Sequence, residues 1–134
     1  MILFIIVILF LICRIVFLLV YDHNMKRNQM IQNLRYEVST IYPNIRNIKI
    51  YAGKSNFTRN KKVIFLRLTD ENNKAYNLNS LMYVLLHELA HCECQEFGHT
   101  AKFYEIHSKL LEKAIKAKVY NPNYPMDKNV CRIY

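Results

Sequence analysis

The sequence predicts a small α+β domain, ordered helix, two or three short strands, helix and helix, behind one apolar N-terminal helix. Three observations predict it. The first 20 residues, "MILFIIVILFLICRIVFLLV", are almost wholly apolar. The middle of the chain carries strand-like runs in "NIRNIKIYAG" and "KKVIFLRLT". Helical periodicity returns in "LMYVLLHELAHC" and again from Thr100 onward.

The apolar run has about the length a helix needs to cross a hydrocarbon core of roughly 30 Å. A cleaved signal peptide fits poorly, because no basic region leads the run and no small-residue cleavage site follows it. Lys26, Arg27 and Arg35 come after it, so the positive-inside rule puts the N-terminus outside and the bulk of the chain in the cytoplasm. Residues 1–21 are expected to form a single-pass membrane anchor and residues 22–134 one domain. Arg14 is the one charge within the span, and its long stem can snorkel toward the headgroups or face a partner helix.

Residues 26–41 read as an amphipathic helix, with Met30, Ile31, Leu34, Val38 and Ile41 at helical spacing and Pro43 as its stop. Ile45, Ile48 and Ile50 then mark a half-buried strand. "KSNFTRN" reads as a turn or loop, and "KKVIFLRLT" as the strongest strand. After the polar "DENNKAYNLN", Asn79 or Ser80 can cap a helix beginning near Leu81. A last helix starts at Thr100 and runs to about Lys118, its core stripe being Phe103, Ile106, Leu110, Leu111 and Ala114. The tail has two prolines and no periodicity.

Without Arg14 the domain carries 18 basic and 10 acidic residues, a net charge of +8. That balance suits an anionic partner, either DNA or lipid headgroups. The basic clusters are Arg59, Lys61 and Lys62, and Lys109, Lys113, Lys116 and Lys118, with no nucleic-acid motif beside them. Cys13, Cys92, Cys94 and Cys131 make no even extracellular framework, so a reducing compartment is the simpler reading.

The chemistry lies in "LLHELAHCECQEFGHT". His87 and His91 are four apart, so one helix face presents both imidazoles to one ion. Glu88 sits about 100° round the helix from His87, where it suits a general base acting on metal-activated water. Zinc needs a third ligand. Cys94 lies on the same face as the two histidines, and three ligands in a row do not surround a metal. His99 approaches from another direction if the helix ends between about Cys92 and Gln95 and the chain reverses at Gly98. Cys94 stays the rival. Neither Cys92 nor Cys94 is a candidate nucleophile, and His107 is expected near the site or at its rim.

Leu66-Arg67 at a strand end, the His87-to-His91 motif, His99 and then Phe103 together resemble the WLM zinc metalloproteases, relatives of the SprT-like group. The resemblance covers residues 45–115. It implies a minimal zincin-like fold with the active helix on a small sheet, a Zn2+ cofactor, and endopeptidase cleavage of protein substrates, including DNA-crosslinked or chromatin-bound ones. Seven residues separate His91 from His99, a longer spacing than the family usually has. The anchor is also a departure, one that would suit a large DNA virus or a compact membrane peptidase.

The mechanism expected is hydrolysis at zinc held by His87, His91 and His99, with Glu88 as general base. Tyr104, Tyr120 and Tyr124 are the candidates for oxyanion stabilisation. Two other readings stand beside the peptidase. One is a membrane-anchored interaction protein with a zinc-stabilised fold and no turnover. The other is a basic module docking on nucleic acid or lipid with a vestigial zinc site. Glu88 favours the enzyme, since holding zinc does not require it.

Overall fold

The structure, a computed structural model, describes residues 1–131 without the side chain of Lys26. Residues 132–134, assigned above to the domain, lie outside the described residues. The architecture is α+β. Helix α1 spans Ile2–Ser39, a 3₁₀ turn Pro43–Asn47, strand β1 Lys49–Ala52, β2 Phe57–Arg59, β3 Val63–Leu66, helix α2 Leu78–Glu93 and α3 Ala101–Lys116.

The expected span and the expected amphipathic helix are one continuous helix. The polar stretch "YDHNMKRNQ" between them contains neither Gly nor Pro, so nothing interrupts the i→i−4 ladder. At 1.5 Å per residue, the 38 residues of α1 reach about 57 Å. The helix is apolar and exposed along its first part, and it is long and apolar enough to cross a membrane. Arg14 is exposed there. Only the later part of α1 meets the domain: Ile31, Leu34 and Val38 are buried, with Met30 and Ile41 packed against the core.

Strand order is β1-β3-β2, with β1 parallel and β2 antiparallel to β3. Ile50, Ile64 and Leu66 point into the core beneath α2. Residues 45–47, expected in the first strand, form the 3₁₀ turn begun by Pro43, and Arg35 donates to the carbonyls of Ile45 and Ile48 at 2.8 and 3.1 Å. The stretch read as a loop contains β2. A strand of three residues is too short to show a period-2 pattern. It exists because β3 offers it an open edge and because Asn60 and Lys61, at φ 51° and 55°, make the tight reversal that returns the chain to β3.

Helix α2 starts three residues before the expected Leu81. Its cap is Asn77, whose side chain accepts from Ser80 N at 2.7 Å. Asn79 and Ser80, the expected caps, instead hold the C-terminal tail. Asn79 exchanges two hydrogen bonds with the Asn121 backbone, and Ser80 Oγ accepts from Asp127 N at 2.8 Å. Asn56 donates to Val130 O at 2.7 Å, so the aperiodic tail is laced across the domain. At the other end, Tyr42 donates to Glu93 and joins the ends of α1 and α2. Thr100 caps α3 as expected, and the core face of that helix is Phe103, His107, Leu110 and Ala114, with Ile106 and Leu111 partly buried. The helix ends at Lys116, two residues short of the expected Lys118.

Candidate metal centre

Helix α2 ends at Glu93, inside the expected window, and Gly98 at φ +79° lets the chain turn back before Thr100 starts α3. A non-glycine residue rarely adopts that backbone. The reversal brings His99 against the two helical histidines. His99 Nε2 lies 3.1 Å from His91 Nε2 and 3.1 Å from His87 Nε2. Beneath them sits Phe103, fully buried, its ring centroid 4.9, 4.3 and 4.8 Å from those of His87, His91 and His99. The aromatic floor sets the tilt of all three imidazoles, and the Thr100 cap sets the floor.

Two ordinary hydrogen bonds cannot account for this triad. A neutral imidazole nitrogen is either a donor or an acceptor, so one His99 Nε2 cannot give to one ring and take from the other. Three lone pairs converging on one point answer the same distances. Ligands at about 2.0–2.1 Å from a tetrahedral zinc lie about 3.3 Å apart, close to the separations found. The ligating atoms of the three histidines all lie within 4.8 Å of one another, and these residues can hold a metal ion. Burial, then His107, His91 and His99, lowers the His87 pKa to about 4, and burial chiefly lowers that of His91. Both rings are therefore neutral, and so able to ligate, at physiological pH.

Cys94 does not enter this cluster. It is the C-cap of α2, fully buried in the hydrophobic core, and its carbonyl accepts from Lys61 Nζ. Lys61, placed above in a basic surface cluster, also donates to His91 O at 3.2 Å and so caps the exposed carbonyls of α2. Cys92 is half-buried, with its thiol pushed up to about 11 by burial, as befits an unreactive residue. All four cysteines are free.

Glu88 is 5 % exposed and points toward β2. Thr58 Oγ1 lies 2.7 Å from Glu88 Oε2 and 3.0 Å from Glu88 O. Its single proton goes to the carboxylate, the nearer and charged acceptor. Burial raises the Glu88 carboxyl above its ordinary range, and the Thr58 hydrogen bond opposes the rise. Thr58 lies in the stretch taken for a loop, so nothing in the sequence marked it; only pairing of β2 with β3 turns it toward the helix. Thr58→Val keeps the shape and deletes the hydroxyl. If Glu88 is a working base, kcat is expected to fall about tenfold or more, the value of a hydrogen bond to a charged group, with metal content unchanged. Unchanged kcat in a metal-replete Thr58→Val protein would remove Thr58 from the site.

The centre opens into a cleft of about 880 Å³ walled by β2, α2, the 96–99 turn and α3. His107 lines it, 6 % exposed, with Nε2 buried and unpartnered. Its ring meets His87 and Tyr83 edge-on at 5.3 and 5.4 Å, so it belongs to the wall and not to the rim. Of the expected oxyanion tyrosines, Tyr104 lines the cleft, Tyr120 is buried behind Tyr83, and Tyr124 is not part of the lining. Tyr83, which no sequence pattern distinguished, lines it as well.

The WLM domain family model matches residues 55–130, more than half of the chain. The chain is 43 % identical over 88 residues to "Uncharacterized protein 042R" of Invertebrate iridescent virus 3, covering 65 % of this chain and 55 % of that protein. It is 44 % identical over 87 residues to "Uncharacterized protein 136R" of Invertebrate iridescent virus 6, covering 63 % and 49 % respectively. To "Uncharacterized protein R325" of Acanthamoeba polyphaga mimivirus it is 31 % identical over 90 residues, covering 66 % and 44 %. The chain thus spans about half the length of the curated relatives it matches. No solved structure matches.

Proposed function

The chain belongs to the WLM domain family, and on that premise we propose that it is a membrane-anchored zinc endopeptidase acting on protein substrates. One observation carries the reading: three converging imidazole nitrogens and a buried carboxylate line one open cleft. His87, His91 and His99 would hold the ion. Bound zinc supplies Lewis acidity, which acidifies a water and polarises a scissile carbonyl. Glu88 takes the proton from the attacking water and returns it to the leaving amine. Thr58 keeps the Glu88 carboxylate turned toward the cleft. Strand β2 is an edge strand that lines the cleft, and its unpaired backbone groups can receive an extended chain.

The first part of α1 is the proposed anchor, with the domain on the cytoplasmic side. Its exposed apolar surface supports this, as do Arg27 and Arg35 on the flank that follows it. Cleavage of a protein substrate that stops on chelation and returns with added zinc tests the peptidase reading. Cleavage that survives complete metal removal would overturn it.

A further inference from the structure

A second cavity, of about 400 Å³, lies away from the metal centre, where α1 leaves its apolar stretch. Its ionisable lining comes from distant segments: His23 and Arg27 of α1, Lys54 of the β1–β2 turn, Arg67 after β3, and Asp70 and Glu71 of the following loop. Strands β1 and β3 are parallel, and the residues just past their ends, Gly53 and Arg67, close the cavity against α1. Arg27 and Arg67 are both half-buried, and Arg67 Nε is oriented by the carbonyl of Thr69 at 2.9 Å. Asp70 Oδ1 accepts from the Asn72 and Lys74 amides at 2.8 and 2.9 Å, which shapes the loop that brings the two carboxylates to the wall.

The depth of the cavity follows from the helix. With the hydrocarbon boundary at Tyr21, His23 lies about 3 Å and Arg27 about 9 Å farther along the axis. The headgroup layer of one leaflet is about 5–8 Å thick. His23 therefore falls within the headgroup layer and Arg27 at its outer edge, so the cavity they wall opens at the bilayer surface, and α1 is unbroken from the span to its packing on the core at Ile31, Leu34 and Val38. The lining is mixed in charge. Arg27, Lys54 and Arg67 can meet a phosphate, while the Asp70 carboxylate can meet an ammonium. Simple attraction to an anionic surface would need only the cations.

We propose that this cavity binds an amino-bearing phospholipid headgroup, a phosphodiester with a primary ammonium as in phosphatidylethanolamine or phosphatidylserine, and so fixes the domain on the bilayer. This rests on the membrane-spanning reading of α1, but not on peptidase activity. The test is native mass spectrometry of the full chain released from detergent with each dioleoyl lipid in turn. Retention of phosphatidylethanolamine and phosphatidylserine is expected to exceed that of phosphatidylcholine and phosphatidylglycerol at least tenfold. Lys54→Glu, on an exposed turn, is expected to abolish the preference, and Lys109→Gln on α3 to leave it intact. Millimolar phosphoethanolamine is expected not to displace the lipid. Phosphatidylcholine held as well as phosphatidylethanolamine, phosphatidylglycerol held as well as phosphatidylserine, an unaltered Lys54→Glu protein, or displacement by millimolar phosphoethanolamine would each overturn the proposal. Extraction of the chain from membranes by alkaline carbonate reports separately on the span: a chain that extracts loses the anchor and this site together, whereas a chain that resists extraction and shows no lipid preference loses only the site.

Discussion

Glu88→Gln is expected to fold, to take up zinc as the unaltered protein does, and to lose nearly all cleavage. The substitution keeps the size of the side chain, and the amide oxygen can still accept from Thr58 Oγ1. It removes the basic oxygen. General-base contributions are about 10² to 10⁴ in rate, so activity against a protein substrate should drop by that order. Burial makes the result easier to read, because Glu88 touches little solvent, whereas Glu96, the other carboxylate lining the cleft, lies exposed on the turn before Gly98. The same variant separates enzyme from scaffold. Were the ion purely structural, Glu88→Gln would leave every measured property unchanged, while His91→Ala would still destabilise the domain through lost metal binding. Cleavage at a comparable rate by a metal-replete Glu88→Gln preparation would refute the mechanism. The substrate is best offered both free and DNA-bound. Equal rates on the two would leave the chemistry standing and remove a DNA-linked role.

His99→Ala should cost the protein its zinc, and Cys94→Ala should not. In the first variant, two imidazoles on consecutive turns of α2 remain, and the nitrogen that stands 3.1 Å from each of them is gone. Metal content after dialysis against a weak chelator should fall from near one equivalent to a small fraction, and cleavage with it. The fold should persist, because His99 is exposed and Phe103, Leu110 and Ala114 still bury α3 against α2. Cys94→Ala deletes a sulfur from a packed core, with a modest stability loss of about 1 kcal/mol. Retained zinc in His99→Ala together with loss in Cys94→Ala would reverse the ligand assignment.

The positions of the metal-site residues were legible in the sequence because local geometry governs them. Residues four apart on a helix share a face whatever the helix packs on, which placed His87 and His91 together. A glycine before His99 and a threonine after it announced a chain reversal and a new helix, which allowed the third imidazole its separate approach. The apolar run of residues 2–20 was legible for the same reason, since its composition needs no partner to be read. Long-range pairing could not be read in that way. Strand β2 is three residues long and exists by virtue of the open edge of β3, so Thr58 and its hold on Glu88 came only with the sheet. Asn79 and Ser80 had the chemistry of helix caps, yet the tail claimed them and Asn77 took the role, because a tethering partner more than 40 residues away leaves no local trace. Cys94 could be ranked below His99 by direction alone, but its burial in the core was decided by how α2 packs. In this protein the residues able to bind metal were set by spacing along the chain; what surrounds and orients them was set by contacts between segments, whose free energy depends on the whole fold and not on any one stretch.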